Sequence, residues 1–184
     1  ASNEAVQLLR VALPNYSVVA WSLGEESTAD ETFNAVEQLL VSGYLNGGGS
    51  LLVSGAEIGW DLDAQGSAND RTFFRNVLGA TYSADDAGTH ALQAGLPGTV
   101  TQGTAAGSFD DGTHGTYDVD YPDVLVPTNA QGTTCLRYGN GLGAGVQKLD
   151  PGTGARVVVF GFPLETVYDA TLRAQLVQQR DRKS

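Results

Sequence analysis

A short apolar run meets a glycine-flanked turn in the segment Leu51-Leu52-Val53-Ser54-Gly55-Ala56-Glu57-Ile58-Gly59-Trp60. The apolar run, bounded by glycines, predicts a buried strand. The Gly-x-Glu-x-Gly sequence that follows predicts a sharp turn from this strand into a helix, with Glu57 at the turn. In open α/β sheets, ligands bind at the carboxyl ends of the strands, which is where this turn would place Glu57.

A second apolar run, residues 16–23, is rich in β-branched residues and also predicts a buried strand. Between the two strands, Ser27 with Asp30 and Thr28 with Glu31 have capping-box spacing. The helix that would follow has apolar residues at intervals of three and four, namely Phe33, Val36, Leu40 and Tyr44. Strand, helix and strand in this order predict a βαβ unit with parallel strands.

The rest of the chain divides into three parts. Residues 80–155 are rich in turn-forming residues with short apolar stretches, which predicts a β-rich insertion of ribbons and loops. Residues 156–162 form the most apolar strand candidate, and a last helix from about Asp169 presents Leu172, Leu176 and Gln179 on one side. We therefore expect one α/β domain over residues 1–184, a flavodoxin-like three-layer sandwich with a mostly parallel sheet.

The composition bounds the possible partners. The chain has 184 residues, 41% of them hydrophobic, so it is long enough to bury a core. With 21 acidic against 10 basic residues the net charge is -11, which disfavours binding to nucleic acid and to anionic membranes. No apolar run approaches the roughly 20 residues of a membrane helix. A single cysteine, Cys135, excludes an internal disulfide framework, and the absence of methionine suggests a piece of a longer chain.

Two segments resemble class I glutamine amidotransferase-like folds. The Gly-x-Glu-x-Gly turn at residues 55–59 is similar to their nucleophile elbow, and residues 162–166 (FPLET) to their Phe-His-Pro-Glu-type segment. More closely, four segments resemble an accessory domain of bacterial secreted proteins with N-acetylmuramoyl-L-alanine amidase-like, golvesin-domain or xanthan-lyase-like parents. These segments are residues 21–33, 45–62, 117–124 and 157–167. The resemblance implies an extracellular location, neighbouring domains as partners, and a first strand upstream of residue 1.

The departures from this pattern concern the reactive positions. Acyl transfer by an amidotransferase needs an activated thiolate at the elbow and a histidine beside it. Here Glu57 stands at the nucleophile position and Pro163 at the histidine position, and only Glu165 keeps its type. We therefore expect no glutaminase activity, and predict a non-catalytic accessory or binding domain of a secreted bacterial hydrolase that acts on cell wall or polysaccharide.

Glu57 is the principal candidate site residue. Glu25 and Glu26, at the end of the neighbouring strand, are expected to face it, and Trp60 and Glu165 complete the predicted ligand-binding set. Mutual repulsion among three carboxylates would raise at least one pKa, as general acids require. Alternatively, Glu57 hydrogen-bonds backbone N–H groups or a helix N-terminus in a degenerate elbow, or it binds a ligand or a metal ion. A carboxylate-based hydrolase of carbohydrate or peptidoglycan, using Glu57 with Glu25 or Glu26, is the other alternative.

Two further groups of acids are candidates for binding. Asp61, Asp63 and Asp70 partly match a calcium loop, although Thr72 stands where the closing glutamate is needed and Asp70 could simply cap a helix. A calcium-stabilised interaction module is therefore a third hypothesis, and no other cofactor is expected. A second cluster could bind cations or sugar hydroxyls, or form a solvated loop or edge strand: Asp110, Asp111, Asp118, Asp120 and Asp123 with Tyr117 and Tyr121. His90 and His114 lack the spacing of a zinc site.

Overall fold

A computed structural model describes residues 1–178 of the chain, so Gln179 and the charged tail after it lie outside the described residues. The helices are α1 (Asn3–Gln7), α2 (Ala35–Asn46), α3 (Ala68–Thr72) and α4 (Ala170–Gln178). The strands are β1 (Val18–Gly24), β2 (Ser50–Gly55), β3 (Ala80–Ala84), β4 (Ala91–Leu92), β5 (Gly107–Ser108), β6 (Val124–Pro127), β7 (Gly132–Arg137), β8 (Gly143–Leu149) and β9 (Arg156–Phe160). Single 3-10 turns lie at Leu13–Asn15 and Leu164–Thr166, and π-helical segments at Trp60–Gln65 and Phe73–Leu78.

The main sheet is mixed, with strand order β1-β2-β9-β8-β7. The pairs β1–β2 and β2–β9 are parallel, whereas β9–β8 and β8–β7 are antiparallel. Two small sheets, β3–β6 and β4–β5, are also antiparallel. Four of the six pairings among the described residues are therefore antiparallel, and the expectation of a flavodoxin-like three-layer sandwich with a mostly parallel sheet is wrong. The reason is that the β7–β8 hairpin, expected within an insertion, pairs with β9 and completes the main sheet.

The βαβ unit is present, but its helix begins later than the sequence signals indicate. Asn34 is the N-cap of α2, and its side chain accepts the N–H groups of Val36 and Glu37. Glu37 reaches back to the N–H of Asn34 and closes a capping box. Val36, expected on the buried face, is 50% exposed, while Glu37 is fully buried. Burial of Glu37 is tolerated because its second oxygen accepts a hydrogen bond from Gln7 at 2.9 Å.

Both faces of the main sheet are buried in apolar clusters. Along β2, Leu51 and Val53 belong to the cluster under α1, α2 and the helical segment 58–78, whereas Leu52 faces the opposite cluster with Phe160 and Leu172. This alternation follows from the two-residue period of a strand. Because β1, β2 and β9 run parallel to one another, their carboxyl ends lie at the same edge of the sheet. No helix among residues 1–178 is long and apolar enough to cross a membrane.

Candidate functional site

The turn after β2 has the predicted form. Strand β2 ends at Gly55, Ala56 and Glu57 form a bend, and helical residues begin at Ile58. The N–H of Ala56 donates to the carbonyl of Gly24 at the end of β1, at 2.9 Å. A Cβ at Gly55 would lie 3.0 Å from the Cβ of Leu23, so the close approach of the two strand ends requires glycine. Glu57 is thereby held, half-buried, at the carboxyl edge of the parallel strands.

The N-terminus of the helix after this turn is occupied by a carboxylate of the protein itself. Asp123 is fully buried and accepts the N–H of Gly59 at 2.5 Å. Its own N–H donates to the carbonyl of Ala56 at 2.9 Å, so two hydrogen bonds hold the segment before β6 against the turn. Backbone N–H groups at such a turn are the groups that would stabilise an oxyanion in an acyl-transfer enzyme. Here one of them is already engaged by Asp123.

The surroundings of Asp123 favour its neutral form. Burial raises its pKa well above the ordinary value, and the negative charges of Glu57 and Asp85 raise it further. Hydrogen bonds from the N–H groups of Gly59 and Trp60 act in the opposite direction. The Oδ1 atom of Asp123 is buried without a hydrogen-bond partner in the described structure. The sequence placed Asp123 in an acidic loop and gave no local sign of this role, because its partners lie about sixty residues earlier.

Several carboxylates gather around Glu57 at the ends of the parallel strands. We call the set Glu25, Glu57, Asp118, Asp120 and Glu165, with Tyr117, the acidic edge. Desolvation raises the pKa of Glu25, and the charges of Asp120, Asp118 and Glu57 add to this rise, whereas the N–H of Asp120 opposes it. Strands β1 and β2 end at the paired residues Gly24 and Gly55, so Glu25 and Glu57, which follow them, lie at the same edge of the sheet.

Glu165 joins the acidic edge through Tyr117. The Tyr117 hydroxyl donates to Oε1 of Glu165 at 2.9 Å. Burial raises the pKa of Tyr117, and the charges of Glu165 and Glu25 raise it further. A Cβ at Gly24 would lie 3.4 Å from both the Glu165 oxygen and the Tyr117 hydroxyl, so the pair sits against the end of β1. The predicted residue Glu165 is therefore part of the same edge.

Glu26 lies apart from the acidic edge. It lines a cavity of about 380 Å³ between the outer edge of β1 and α1. Burial raises its pKa, and the neighbouring charges that contribute are Asp30, Glu37 and Glu4. Adjacent residues of a chain that leaves a strand need not face the same way, and the structure does not bring Glu26 to Glu57.

Trp60 lies at the start of the helical segment Trp60–Gln65, shortly after Glu57. Its ring lies 6.1 Å from that of Tyr82, centroid to centroid, and both residues are half-buried. Tyr82 hydrogen-bonds Asp85, and its pKa rises to about 12 through burial and the charges of Asp85, Asp123 and Glu57. Trp60 also lines a cavity of about 580 Å³ that contains Asp61 and Asp70.

The acids of the proposed calcium loop are engaged by different protein groups. Asp61 accepts the N–H and hydroxyl of Thr32 at 3.0 and 2.7 Å. Asp63 pairs with Arg75 at 2.7 Å and accepts the N–H of Tyr82 at 2.9 Å.

Asp70, the third acid of that loop, closes a capping box with Ser67 at the start of α3 and accepts a hydrogen bond from Gln38 at 2.7 Å. Helix capping, the simpler interpretation of Asp70, is thus its structural role, and the three carboxylates do not converge on one point.

The second acidic cluster is divided by the fold. Asp118 and Asp120 belong to the acidic edge, Asp123 to the turn, and Tyr121 is 53% exposed. Asp110, Asp111 and His114 have ligand atoms within 4.8 Å of one another, the one such group among the described residues. Asp110 is nevertheless satisfied by the protein, as it accepts the N–H groups of His114 and Thr116, each at 2.8 Å.

Those hydrogen bonds decide the ionisation of Asp110. Burial alone would raise its pKa, but the hydrogen bonds from Thr116 and His114 outweigh burial and lower it. Asp110 thus organises its own loop through these hydrogen bonds.

The comparisons with known proteins found solved structures of similar fold, but no protein family to which the chain can be assigned. No family model matches the chain, and no curated protein matches it. The mmIFT52 N-terminal domain has a similar structure, with a TM-score of 0.59 and 15% identity over 97% of this chain and 81% of that one. The exo-β-1,4-mannosidase Op5Man5 from Opitutaceae bacterium strain TAV5 is similar with a TM-score of 0.55 and 12% identity over 92% of this chain. This chain spans 24% of the mannosidase, and at these identities the likeness concerns the fold alone.

The side chains required for thiolate chemistry are not assembled. Cys135 is fully buried in β7, and burial raises its pKa to about 12, so the thiolate is not available near neutral pH. His90 lies 3.2 Å from Asp118, and His114 stacks on Tyr168 at 3.9 Å. The arrangement at the sheet edge therefore offers carboxylates, a phenol and aromatic rings, which suit the binding of hydroxyl or ammonium groups.

Proposed function

We propose that this chain is a non-catalytic binding domain of a longer, secreted bacterial hydrolase, and that the acidic edge is its ligand surface. The observation that carries the proposal is the engagement of the Gly59 N–H by Asp123. A turn that has Glu57 at the nucleophile position and one backbone donor held by a buried carboxyl group retains the shape of a nucleophile elbow without the thiolate that acyl transfer needs. Neighbouring domains of the parent would then supply the catalysis.

The chemistry of the acidic edge supports a carbohydrate ligand. Carboxylates accept hydrogen bonds from sugar hydroxyls, and the exposed Glu25 and Glu165 offer such acceptors beside the Tyr117 hydroxyl. The similarity in fold to about a quarter of an exo-β-1,4-mannosidase supports the same context, since that enzyme acts on a carbohydrate and the matching portion has the size of one domain.

Titration with oligosaccharides tests the proposal. Mannan-derived and peptidoglycan-derived oligosaccharides are added to the labelled protein while amide chemical shifts are recorded. We expect shifts at Glu25, Glu57 and Tyr117, and no release of reducing ends during long incubation. Glu57→Gln should abolish the shifts, whereas Glu4→Gln, a matched charge removal in α1, should leave them unchanged. Absence of shifts with every oligosaccharide would contradict the proposal.

A carboxylate-based hydrolase is the second candidate, favoured by one observation. Glu25 has a raised pKa beside the second carboxylate Glu57, an arrangement that general acid and base pairs use. If this candidate is correct, the wild-type protein releases reducing sugar from polysaccharide, and both Glu25→Gln and Glu57→Gln eliminate the release. Binding without any release supports the accessory domain instead.

A further inference from the structure

Strand β1 leaves one edge of the main sheet open. Among the described residues it pairs with β2 on one side and with no strand on the other. The N–H of Ser50 in β2 donates to the carbonyl of Ser17, and the direction of the backbone groups alternates from one residue of a strand to the next. The backbone N–H and C=O groups that point outwards are therefore those of Val18, Ala20 and Ser22. No hydrogen bond from elsewhere in residues 1–178 reaches them, so they can pair with another strand.

A cavity of about 380 Å³ runs along this open edge. Its lining includes every residue of β1 from Val18 to Leu23, hence side chains of both faces of the strand, and no residue of β2. The remaining wall comes from α1 and the segment after it, with the apolar side chains of Val6, Val11 and Leu13. The space therefore lies beside the strand, where the backbone and alternate side chains of an added strand would fit. We call this cavity the β1 groove.

Glu26 places an unsatisfied acceptor at one end of the β1 groove. It lines the cavity just after the end of β1, and its Oε2 atom is buried without a hydrogen-bond partner in the described structure. Buried polar atoms have a donor in the great majority of cases. The lining contains no lysine or arginine side chain, and the charges that act on Glu26 are those of acids, namely Glu4, Asp30 and Glu37. The end of the groove therefore suits a positively charged donor.

The charge of the chain decides between two kinds of strand that could occupy the groove. A second copy of this chain would bring a net charge of -11 against an equal charge, and acids against the acids around Glu26. A segment of a different protein that carries a basic residue gains attraction at the same place. Charge complementarity therefore favours a basic partner over a second copy.

We propose that the β1 groove binds an extended, basic segment of another protein, which adds a strand to the main sheet and places a lysine or arginine against Glu26. The backbone of the segment pairs with the outward groups of Val18, Ala20 and Ser22, and its alternate apolar side chains fill the groove. Glu26 lies apart from the acidic edge. The inference therefore concerns a second surface and does not rest on the proposed function.

Two synthetic heptapeptides test the proposal by amide NMR near neutral pH. The first, acetyl-KTVTVTK-amide, presents valines on one face and a lysine at each end, so it fits the groove in either strand direction. The second, acetyl-ETVTVTE-amide, differs only in charge. We expect the lysine peptide to bind about tenfold more tightly. At about ten times its Kd it should slow amide hydrogen exchange at Ala20 and Ser22 about tenfold.

Two variants locate the bound peptide. Glu26→Gln should weaken binding of the lysine peptide about tenfold, whereas Glu31→Gln, at an exposed acid of the same loop, should leave the affinity unchanged. Ala20→Pro removes an outward N–H and should abolish binding of both peptides. Because that N–H does not pair with β2, the amide spectrum of the variant should keep the dispersion of a folded protein.

The remaining outcomes each overturn the proposal in a distinct way. Binding of neither peptide removes the docking surface, and equal binding of both removes the basic partner. Unchanged affinity in both Glu26→Gln and Ala20→Pro places the peptide elsewhere on the protein. Protection of Ala20 and Ser22 without peptide, rising with protein concentration together with a dimer in light scattering, shows that a second copy fills the groove.

Discussion

The Asp123 side chain accepts the N–H of Gly59, a residue 64 positions earlier in the chain, at 2.5 Å. Together with the hydrogen bond from the N–H of Asp123 to Ala56, this contact fastens the loop that carries Asp118 and Asp120 to the turn that carries Glu57. The acidic edge is assembled from distant segments, and Asp123 is the side chain that joins them. The stability of the fold and the geometry of the candidate site should therefore depend on the same residue.

Asp123→Ala should destabilise the fold strongly. The substitution leaves a buried N–H of Gly59 without its acceptor and creates a cavity, and we expect a loss of about 2–4 kcal/mol in the free energy of unfolding. Urea denaturation followed by circular dichroism measures it. Asp120→Ala, at an exposed position of the same segment, is the matched control and should change stability by less than about 0.5 kcal/mol. If Asp123→Ala lowers the free energy of unfolding no more than Asp120→Ala does, the buried hydrogen bond between Asp123 and Gly59 contributes little to stability.

Asp123 should also give stability a measurable dependence on pH. Its pKa is raised in the fold, so the folded state retains the proton longer than the unfolded state, whose value is about 4. The contribution of Asp123 to the free energy of unfolding is therefore greatest at acidic pH, and it falls as the pH rises from about 4 towards the folded pKa. Asp123→Asn, which keeps an acceptor oxygen but does not titrate, should flatten this fall. Urea midpoints at a series of pH values measure it, and identical slopes for the two proteins would contradict the assignment.

The sequence was informative where the physical cause is local. The strands 16–23 and 51–54 and the turn at Glu57 follow from runs of neighbouring residues, and the parallel pairing of β1 with β2 follows from the helix between them. The sequence does not single out the N-cap at Asn34, because Ser27 and Thr28 show equally good capping spacing and only packing selects among such signals.

The errors concern contacts between distant segments. Pairing of the β7–β8 hairpin with β9 turned an expected insertion into two strands of the main sheet, and no short-range pattern specifies which strand accepts a hairpin. The buried position of Asp123 is hard to predict for the same reason, because its acidic neighbours in sequence suggest a solvated loop while its partners lie about sixty residues away. Glu26 differs from Glu25 only in the direction of its side chain, which composition cannot reveal.

Removal of divalent cations should leave the stability unchanged. Asp61, Asp63 and Asp70 each bind donors of the protein, and Asp110 is satisfied by the N–H groups of its own loop. A ligand that binds only the folded state raises the melting temperature, so a calcium-stabilised module would melt earlier in EDTA. We expect equal melting temperatures with EDTA and with added calcium. A higher value in calcium that Asp110→Asn abolishes would instead place an ion at that loop.

Gly161 should tolerate no side chain, because the end of β9 and the Asp123 segment touch there. A Cβ at Gly161 would lie 2.2 Å from the carbonyl oxygen of Asp123, a backbone atom that cannot move without breaking the hydrogen bond it accepts from Tyr138. Gly161→Ala should therefore lower the free energy of unfolding by at least about 3 kcal/mol or prevent folding.

Gly43→Ala is the matched control, since a Cβ there meets nothing within 4 Å and Gly43 lies inside α2. It should stabilise the protein by about 0.5–1 kcal/mol through helix propensity. Urea denaturation of both variants decides, and a mild effect of Gly161→Ala would mean that the Asp123 segment is not held against β9 as the structure places it.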